Sequence, residues 1–271
     1  MTAELDDLLA LARATAAEAS ALLRDVRPDH VRTKTSPRDL VTEWDTRCEE
    51  LVRSRLTAAR PDLAVVGEEG GGDRGAARRW LVDPIDGTVN FAHGLPLWSV
   101  AIALEGPAGL EVGVVAAPAL GWTFWARRGG GAFADRGRGV ERLRVSAVER
   151  LDHAMLVSGF PYDRATNPDN NFAAWEHFQR VAGACRRLGS AELDLCLVAT
   201  GAIDGYWERR LAPWDLAAGA LIVMEAGGVV TDTRGGPFHA ESGEVIAAGG
   251  GIHQAIVTEL ARVRASTEES P

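Results

Sequence analysis

Two aspartates lie three positions apart in "WLVDPIDGTVNF" (residues 80–91), within and directly after an apolar run. The run predicts a buried strand with Asp83 at its end, where side chains project into a cleft. Pro84 fixes φ and Gly87 permits a sharp turn, so the Asp83 and Asp86 carboxylates can face one point although they are out of strand register. An isolated D-P-x-D-G is typical of an ordinary turn, so a functional interpretation depends on further acids elsewhere.

Three other segments supply such acids. "VVGEEGG" is a second apolar run, and it ends in the pair Glu68 and Glu69. Asp215 lies at the first turn of a predicted apolar helix in "PWDLAAGALIVMEAGG", where simple helix capping is the alternative interpretation. "SPRDLVTEWD" offers Asp39 or Asp45, and Asp45 is equally consistent with a solvated acid on a helix.

Carboxylates that share a cleft repel one another by roughly several kcal/mol unless cations bind or protons are taken up. An all-oxygen ligand set without His or Cys favours Mg²⁺ or Mn²⁺ over zinc. The Thr88 hydroxyl can hydrogen-bond a water molecule, and the amides of Gly87 and Thr88 can bind a phosphate if a helix begins there. The pattern therefore predicts a divalent-metal site that handles a phosphate.

The remaining patterns indicate which elements position these acids. Apolar spacing predicts one helix over residues 5–26 and a second over residues 42–59, capped by Thr42, with a polar loop or hairpin between them. Residues 98–135 contain four short strand-like runs, typical of an antiparallel meander. Strands and helices alternate afterwards. This order predicts a layered α+β or α/β arrangement whose two halves meet in a cleft.

Composition restricts the class of protein. The 271 residues carry a net charge of −9 and a pI of about 5.2, so we expect no nucleic-acid partner and no anionic membrane partner. Three unpaired cysteines are typical of reduced thiols in a cytoplasmic protein: Cys48, Cys185 and Cys196. The N-terminal segment lacks the pattern of a signal peptide, and no apolar run of about 20 residues predicts a membrane span.

Taken together, these motifs resemble the inositol monophosphatase family of metal-dependent, lithium-sensitive sugar phosphatases. "GEE", "WLVDPIDGTVNF" and "WDLAAGALIVMEAGG" carry the resemblance, supported by "KTSPRDLVTEWD" and "RRLGSAELDLCLVATGAIDGYWE". It covers about residues 5–260. It implies a layered αβαβα sandwich, the fold shared with fructose-1,6-bisphosphatase, in one catalytic domain spanning residues 1–271. An N-terminal α+β half (about 1–150) and a C-terminal α/β half (about 151–271) would meet at the active site.

The resemblance also implies a metal arrangement. Glu68, Asp83 and the backbone carbonyl of Ile85 are expected to hold one Mg²⁺. Asp83 is expected to bridge to a second metal ion, which Asp86 and Asp215 complete. Two or three Mg²⁺ per site are expected, with Mn²⁺ as a substitute and Li⁺ and Ca²⁺ as inhibitors.

Further roles follow from the same resemblance. Thr88, hydrogen-bonded to Asp45, is expected to orient the attacking water, with Glu68 close by. The amides of Gly87 and Thr88 are expected to cradle the phosphate. The substrate side is expected to comprise Asp86, the Ala191 backbone, Glu208 and Arg186. The loop around Lys34 is mobile in relatives and closes over the site, near a weak third metal. A homodimer acting on a small phosphorylated polyol is expected.

Other phosphatase chemistries fit the spacing poorly. Haloacid-dehalogenase-like phosphatases use D-x-D, whereas "DPID" is D-x-x-D. Cysteine phosphatases need Cys-x5-Arg, but the residues six positions after the three cysteines are Ser54, Ala191 and Ala202. Within the resembled family we expect inositol-1-phosphate as the substrate, with fructose-1,6-bisphosphate and histidinol phosphate as alternatives. A catalytically silent regulatory protein on the same fold is the alternative from a different class.

Overall fold

The computed structural model describes residues 2–268 of the chain, with side chains described as far as residue 266. Its first helix, α1, spans Thr2–Leu23, so the helix predicted over residues 5–26 lies about three residues closer to the N-terminus. The second helix, α2, spans Glu43–Ala59 and is capped by Thr42, which confirms the prediction. Between them β1 (Val31–Thr33) pairs antiparallel with β2 (Leu40–Thr42), so the polar segment forms a hairpin.

A seven-stranded sheet follows, and its spatial order is the same as its chain order. The first two strands run parallel, and every later pair is antiparallel, which confirms the predicted meander. The sheet consists of β3 (Ala64–Gly67), β4 (Arg79–Asp86), β5 (Ser99–Gly106), β6 (Gly109–Ala117), β7 (Trp122–Arg127), β8 (Gly131–Asp135) and β9 (Val140–Arg142). A short helix, α3 (Thr88–His93), follows β4 directly.

The C-terminal half forms a five-stranded mixed sheet in the order β11-β10-β12-β14-β13. Its strands are β10 (Met155–Ser158), β11 (Ala184–Arg186), β12 (Gly205–Arg209), β13 (Val229–Thr231) and β14 (Glu244–Ala248). Its helices are α4 (Phe172–Val181), α5 (Ala191–Ala199), α6 (Ala217–Glu225) and α7 (Gly250–Glu268).

Side chains alternate between the two faces of each strand, and this alternation assembles the layers. On β4, Trp80 and Val82 pack in the apolar cluster that includes α1 and α2, whereas Leu81 packs in the cluster that includes α5 and α6. On β12, Tyr206 joins the α5–α6 cluster, whereas Trp207 packs with residues of α4 and α7. The order is therefore helix, sheet, helix, sheet, helix, which confirms the predicted layered αβαβα sandwich.

Two details differ from the sequence-based expectations. The helix predicted from Asp215 onward is a 3₁₀ turn (Pro213–Asp215) followed by α6, because the Asp215 carboxylate accepts a hydrogen bond from the Ala212 N–H and closes a tight turn before the helix begins. The edge strands β9, β11 and β13 were not predicted. Each has three residues, too few to show a periodic pattern. Within residues 2–268, no helix is both long and apolar enough to cross a membrane.

Candidate active site

A cavity of about 340 Å³ opens between the two halves of the chain. Its walls come from the end of β4 and the start of α3, from the segment after β3, and from the elements around α5, β12 and α6. The cavity brings together most of the residues predicted for the site: Glu68, Asp83, Ile85, Asp86, Gly87, Thr88, Ala191, Glu208 and Asp215.

The strand end around Asp83 has the irregular geometry that the sequence predicted. β4 pairs regularly with β5 as far as Asp83, and the pairing resumes out of register at Asp86. Between them the Asp83 carboxylate accepts a hydrogen bond of 2.9 Å from the Ile85 N–H. Gly87 then adopts φ 92°, which favours glycine, and α3 begins at the next residue. Both carboxylates therefore face one cavity.

Thr88 and Asp45 form a fixed pair at the cavity wall. The Thr88 hydroxyl lies 3.1 Å from Asp45 Oδ1 and 3.0 Å from the Ile85 carbonyl oxygen. The other Asp45 oxygen accepts hydrogen bonds from the Thr42 N–H (2.8 Å) and hydroxyl (2.6 Å). Asp45 is fully buried, so it is not a solvated helix acid. Burial raises its pKa to about 6, although the Thr42 hydrogen bonds act in the opposite direction.

The carboxylates of the cavity destabilise one another's charged forms. Burial, and then the neighbouring Glu68, Asp86 and Asp215, raise the pKa of Asp83 well above its usual range. Burial and Glu68 likewise raise the pKa of Asp215. Burial raises the pKa of Glu68 to about 7, although the Lys34 ammonium acts in the opposite direction. Such a cluster is a strong binding site for cations or protons.

Lys34 is a cation already present at this cluster. Its ammonium lies 2.8 Å from Glu68 Oε1 and also contacts the Glu69 carboxylate. Burial alone would lower the pKa of Lys34, but the two carboxylates outweigh that effect and raise this pKa. Lys34 and Asp39 line the cavity from the loop between β1 and β2, so that loop covers part of the site. Lys34 is also the single lysine of the sequence.

Asp86 is held by the start of α5. Its carboxylate accepts hydrogen bonds from the Ser190 hydroxyl (2.5 Å) and from the N–H groups of Ala191 (3.0 Å) and Glu192 (2.8 Å). Burial raises the pKa of Asp86, and these hydrogen bonds act in the opposite direction. The contact joins the two halves of the chain. Sequence reasoning placed Asp86 and Ala191 on the substrate side but missed Ser190 and Glu192, which lie in the same "GSAEL" segment.

Glu208 lines the cavity from β12. Its carboxylate accepts a hydrogen bond of 2.7 Å from the Tyr206 hydroxyl, and burial raises its pKa to about 7. Gly159 lies against it so closely that a Cβ atom there would stand 2.2 Å from both carboxylate oxygens.

Two predicted site residues do not line the cavity: Asp45, which reaches it through Thr88, and Arg186. Arg186 ends the edge strand β11, and its guanidinium donates to the Cys185 carbonyl oxygen at 2.9 Å. Arg187, the next residue, lines the cavity instead. Consecutive residues of an extended chain point to opposite sides, so a shift of one position exchanges the two side chains. The motif "RRLGS" contains both arginines and could not separate them.

Sequence reasoning missed four cavity residues that lie in loops without a recognisable pattern: Phe160, Pro161, Tyr162 and Arg210. It also missed Asp194 on α5 and Trp214 in the 3₁₀ turn before α6. The buried Oδ1 atom of Asp194 has no hydrogen-bond partner among the described residues. The three cysteines are free and buried.

The donor set suits a hard divalent cation. The carboxylates and the Ile85 carbonyl offer oxygen atoms alone, which is the ligand chemistry of Mg²⁺. No three His, Cys, Asp or Glu side chains among residues 2–268 are close enough together to form a complete metal cage. Mg²⁺ does not require one, because it keeps several of its waters and binds through one or two carboxylates together with substrate phosphate oxygens.

Comparison with known proteins agrees with this geometry. The family model described as "Inositol monophosphatase family" matches residues 4–265. An inositol-1-monophosphatase of Rhizobium meliloti (strain 1021) is 42% identical over 212 residues, covering 78% of each chain. A protein of Pseudomonas aeruginosa named Nus factor SuhB is 41% identical over 229 residues, covering 82% of this chain and 83% of the other.

A solved structure shares the fold over nearly the whole length. The inositol monophosphatase from Anabaena (Nostoc) sp. PCC 7120 superposes with a TM-score of 0.85 at 33% identity, covering 96% of this chain and 97% of the other. Another, the Thermotoga maritima IMPase TM1415, gives a TM-score of 0.83 at 35% identity. The chain belongs to the inositol monophosphatase family and is an enzyme of the phosphatase class.

Proposed function

We propose that the protein is a Mg²⁺-dependent phosphomonoesterase that hydrolyses inositol-1-phosphate to inositol and phosphate. One observation carries the proposal. The four acids proposed as metal ligands and the start of α3 line a single cavity of about 340 Å³, and Asp45 holds the Thr88 hydroxyl at its wall. This volume lies at the small end of ligand pockets, as a small phosphorylated polyol requires.

The proposed metal ligands are those expected from the family. Glu68, Asp83 and the Ile85 carbonyl would hold one Mg²⁺, and Asp83, Asp86 and Asp215 would hold a second, directly or through the waters that Mg²⁺ keeps. When bound, the ions would supply Lewis acidity that makes water a better nucleophile near neutral pH and neutralises charge on the phosphate and leaving oxygen. A third ion at the loop around Lys34, exchange of Mg²⁺ for Mn²⁺, and inhibition by Li⁺ or Ca²⁺ are part of the same proposal.

The protein's own residues orient the nucleophile. The Thr88 hydroxyl donates a hydrogen bond to Asp45 Oδ1. The lone pairs of the Thr88 oxygen are then available to accept a hydrogen bond from the attacking water. The lone pairs of that water are then free to face phosphorus. Glu68, which lines the same cavity, accepts the proton that the water releases. The amides of Gly87 and Thr88 hold the phosphate in line for attack, so no covalent intermediate is required.

The part of the cavity that Glu208 lines selects the alcohol part of the substrate. Glu208 and the Ala191 backbone are proposed to accept and donate hydrogen bonds to polyol hydroxyls, with Arg187 in place of Arg186 near the substrate. The relatives named inositol-1-monophosphatase support inositol-1-phosphate as the substrate. Fructose-1,6-bisphosphate and histidinol phosphate remain the alternative substrates to be compared.

The wider setting is also a proposal. We infer that residues 1–271 form one catalytic domain, because the cavity draws its walls from both halves of the chain. From the family we propose a homodimer, and from the cysteines a cytoplasmic location. The free, buried cysteines support a reducing compartment. Net charge −9 argues against nucleic-acid and anionic-membrane partners.

A phosphate-release assay tests the proposal. Wild type and Asp86→Asn are compared on inositol-1-phosphate, fructose-1,6-bisphosphate, histidinol phosphate and an adenosine bisphosphate, with and without Mg²⁺. We expect the highest kcat/KM on inositol-1-phosphate, strict dependence on Mg²⁺, and a loss of roughly 100-fold in the variant. Preference for histidinol phosphate would overturn the substrate but leave the site. Absence of Mg²⁺-dependent hydrolysis from the wild type on every substrate would support the regulatory alternative.

A further inference from the structure

Glu192, the second residue of α5, is a fully buried acid that the proposed reaction does not use. Its carboxylate accepts hydrogen bonds from two backbone N–H groups at the start of α6, those of Ala218 (3.0 Å) and Gly219. These are the amides that a capping side chain normally satisfies. The N-cap residue of α6 is Leu216, which makes no side-chain capping bond. Glu192 therefore caps α6 from a neighbouring helix.

This contact links two of the proposed metal ligands. The backbone N–H of Glu192 donates to Asp86, and its side chain fixes the start of α6. Asp215 immediately precedes the Leu216 cap of that helix. Asp86 and Asp215 come from opposite halves of the chain, and Glu192 connects the segments that carry them. Its position thus sets their relative placement.

The fit between Glu192 and α6 leaves no room for a side chain at the contact. A Cβ atom on Gly219 would lie 2.6 Å from Glu192 Oε2 and 2.5 Å from the Leu195 Cβ atom. The carboxylate therefore approaches the helix backbone directly, which requires glycine at that position.

Burial, and then the neighbouring Asp86 carboxylate, raise the pKa of Glu192 well above its usual range, although the hydrogen bonds from the start of α6 act in the opposite direction. Glu192 is therefore linked to the cavity by its contacts, which are the two hydrogen bonds from α6 and the N–H that it donates to Asp86.

We propose that Glu192 is a positioning residue for metal binding, which holds Asp86 and Asp215 at their working separation. The inference rests on the proposed function to the extent that these two aspartates bind a metal ion. Residues that orient metal ligands typically contribute about 10- to 100-fold to metal affinity.

Calorimetric titration of the chelator-treated protein with Mg²⁺ tests the proposal without an activity measurement. We expect Glu192→Gln, which keeps the shape but replaces one of the two acceptor oxygens with an NH₂ group, to weaken the affinity for Mg²⁺ by about tenfold or more, and Glu192→Ala, which removes both acceptors, to weaken it further. Glu225 provides a matched control. It lies at the other end of α6, and its carboxylate also accepts two backbone N–H groups, those of Gly129 (2.7 Å) and Gly131 (2.8 Å).

Glu225→Gln makes the same replacement of an acceptor oxygen at a pair of hydrogen bonds outside the cavity, so it should lower thermal stability and leave Mg²⁺ affinity unchanged. Wild-type Mg²⁺ affinity in Glu192→Gln, or an equal loss in both glutamine variants, would overturn the proposal. The result is independent of substrate turnover. Suppose that Mg²⁺ binds the wild type and that its affinity falls in the Glu192 variants as expected, while no phosphate is released from any substrate. The proposed function then fails and the role of Glu192 stands.

Discussion

The side chains of Thr88 and Asp45 meet 3.1 Å apart at the cavity wall, although 43 positions separate them in the chain. Asp45 uses its second oxygen to cap α2 through Thr42, so one buried carboxylate serves both a helix start and the cavity. The position of the Thr88 hydroxyl is consequently tied to the first turn of α2. Substitution of Thr88 should therefore affect catalysis, whereas substitution of Thr42 should affect both stability and catalysis.

Thr88→Val keeps the shape of the side chain and removes the hydroxyl. We expect a loss of roughly 100-fold or more in kcat on inositol-1-phosphate, because no group remains to orient the attacking water. Steady-state kinetics measure the loss, and thermal unfolding checks that the variant is folded. Thr88→Ser, which retains the hydroxyl, should keep most of the activity. Full activity in the valine variant would remove Thr88 from the proposed mechanism.

Thr42→Ala should act on both stability and activity. The variant loses the helix cap and the hydroxyl that fixes Asp45, so we expect a destabilisation of about 1 kcal/mol in urea unfolding. A several-fold decrease in kcat should accompany it, because Asp45 then has more freedom to leave Thr88. Thr42→Ser is the matched control and should be close to wild type in both measurements. An unchanged kcat in the alanine variant would show that Thr88 does not depend on the cap.

The sequence could predict those site residues that lie close together in the chain. Asp83, Ile85, Asp86, Gly87 and Thr88 belong to one turn, so their spacing alone indicated a common point. All five line one cavity in the structure. Contacts between residues that lie far apart in the chain could not be predicted in this way. That Asp45 is buried rather than solvated depends on packing against β4 and α3, which a helical pattern cannot reveal.

The unpredicted features arise from tertiary packing. In the sequence Glu192 cannot be distinguished from an ordinary acid at a helix start. Its contact with α6 exists because α5 and α6 lie side by side between the sheets. Arg186 instead of Arg187 was predicted to lie near the substrate, because the sequence does not define where β11 ends. Element types were predictable from periodicity. Side-chain direction at a strand end, and hydrogen bonds between helices, were not.

Lys34 provides a direct test of cation competition at Glu68. Because it is the single lysine of the chain, amine acylation followed by mass spectrometry reports on this residue alone apart from the N-terminal amine. Glu68 and Glu69 raise the pKa of Lys34, which keeps its amine protonated and unreactive. We expect Mg²⁺ to displace it from Glu68, lower that pKa and increase acylation several-fold.

The N-terminal amine in the same sample is the internal control and should not respond to Mg²⁺. Glu68→Gln should increase acylation of Lys34 without Mg²⁺, since the variant removes the carboxylate that holds the ammonium at 2.8 Å. Identical acylation of Lys34 with and without Mg²⁺ would show that the metal and the lysine do not compete for Glu68.

Glu208 should make the metal-free protein less stable as pH rises. Burial raises its pKa in the folded protein from 4.5 to about 7, so the folded state binds this proton more tightly than the unfolded state does. The resulting stabilisation is complete below about pH 4.5 and is lost as pH rises through about 7, a change of about 3 kcal/mol. Glu208→Gln cannot ionise and should lack this part of the decline.

Urea unfolding of wild type and Glu208→Gln between pH 5 and 8 measures the difference. The variant should gain stability relative to wild type steadily across this range. Parallel pH curves for the two proteins would mean that Glu208 does not titrate there.

Gly159→Ala should impair recognition of the polyol more than the chemistry at phosphorus. The added Cβ would stand 2.2 Å from both Glu208 carboxylate oxygens, and the hydrogen bond from Tyr206 prevents Glu208 from simply moving aside. We expect an increase of about tenfold in KM for inositol-1-phosphate, equivalent to about 1.4 kcal/mol of lost binding. Hydrolysis of p-nitrophenyl phosphate, which has no polyol hydroxyls, should change much less. Gly250→Ala is the control, because a Cβ atom there meets no other atom within 4 Å. Equal losses on both substrates would instead place Glu208 among the groups that act on the phosphate.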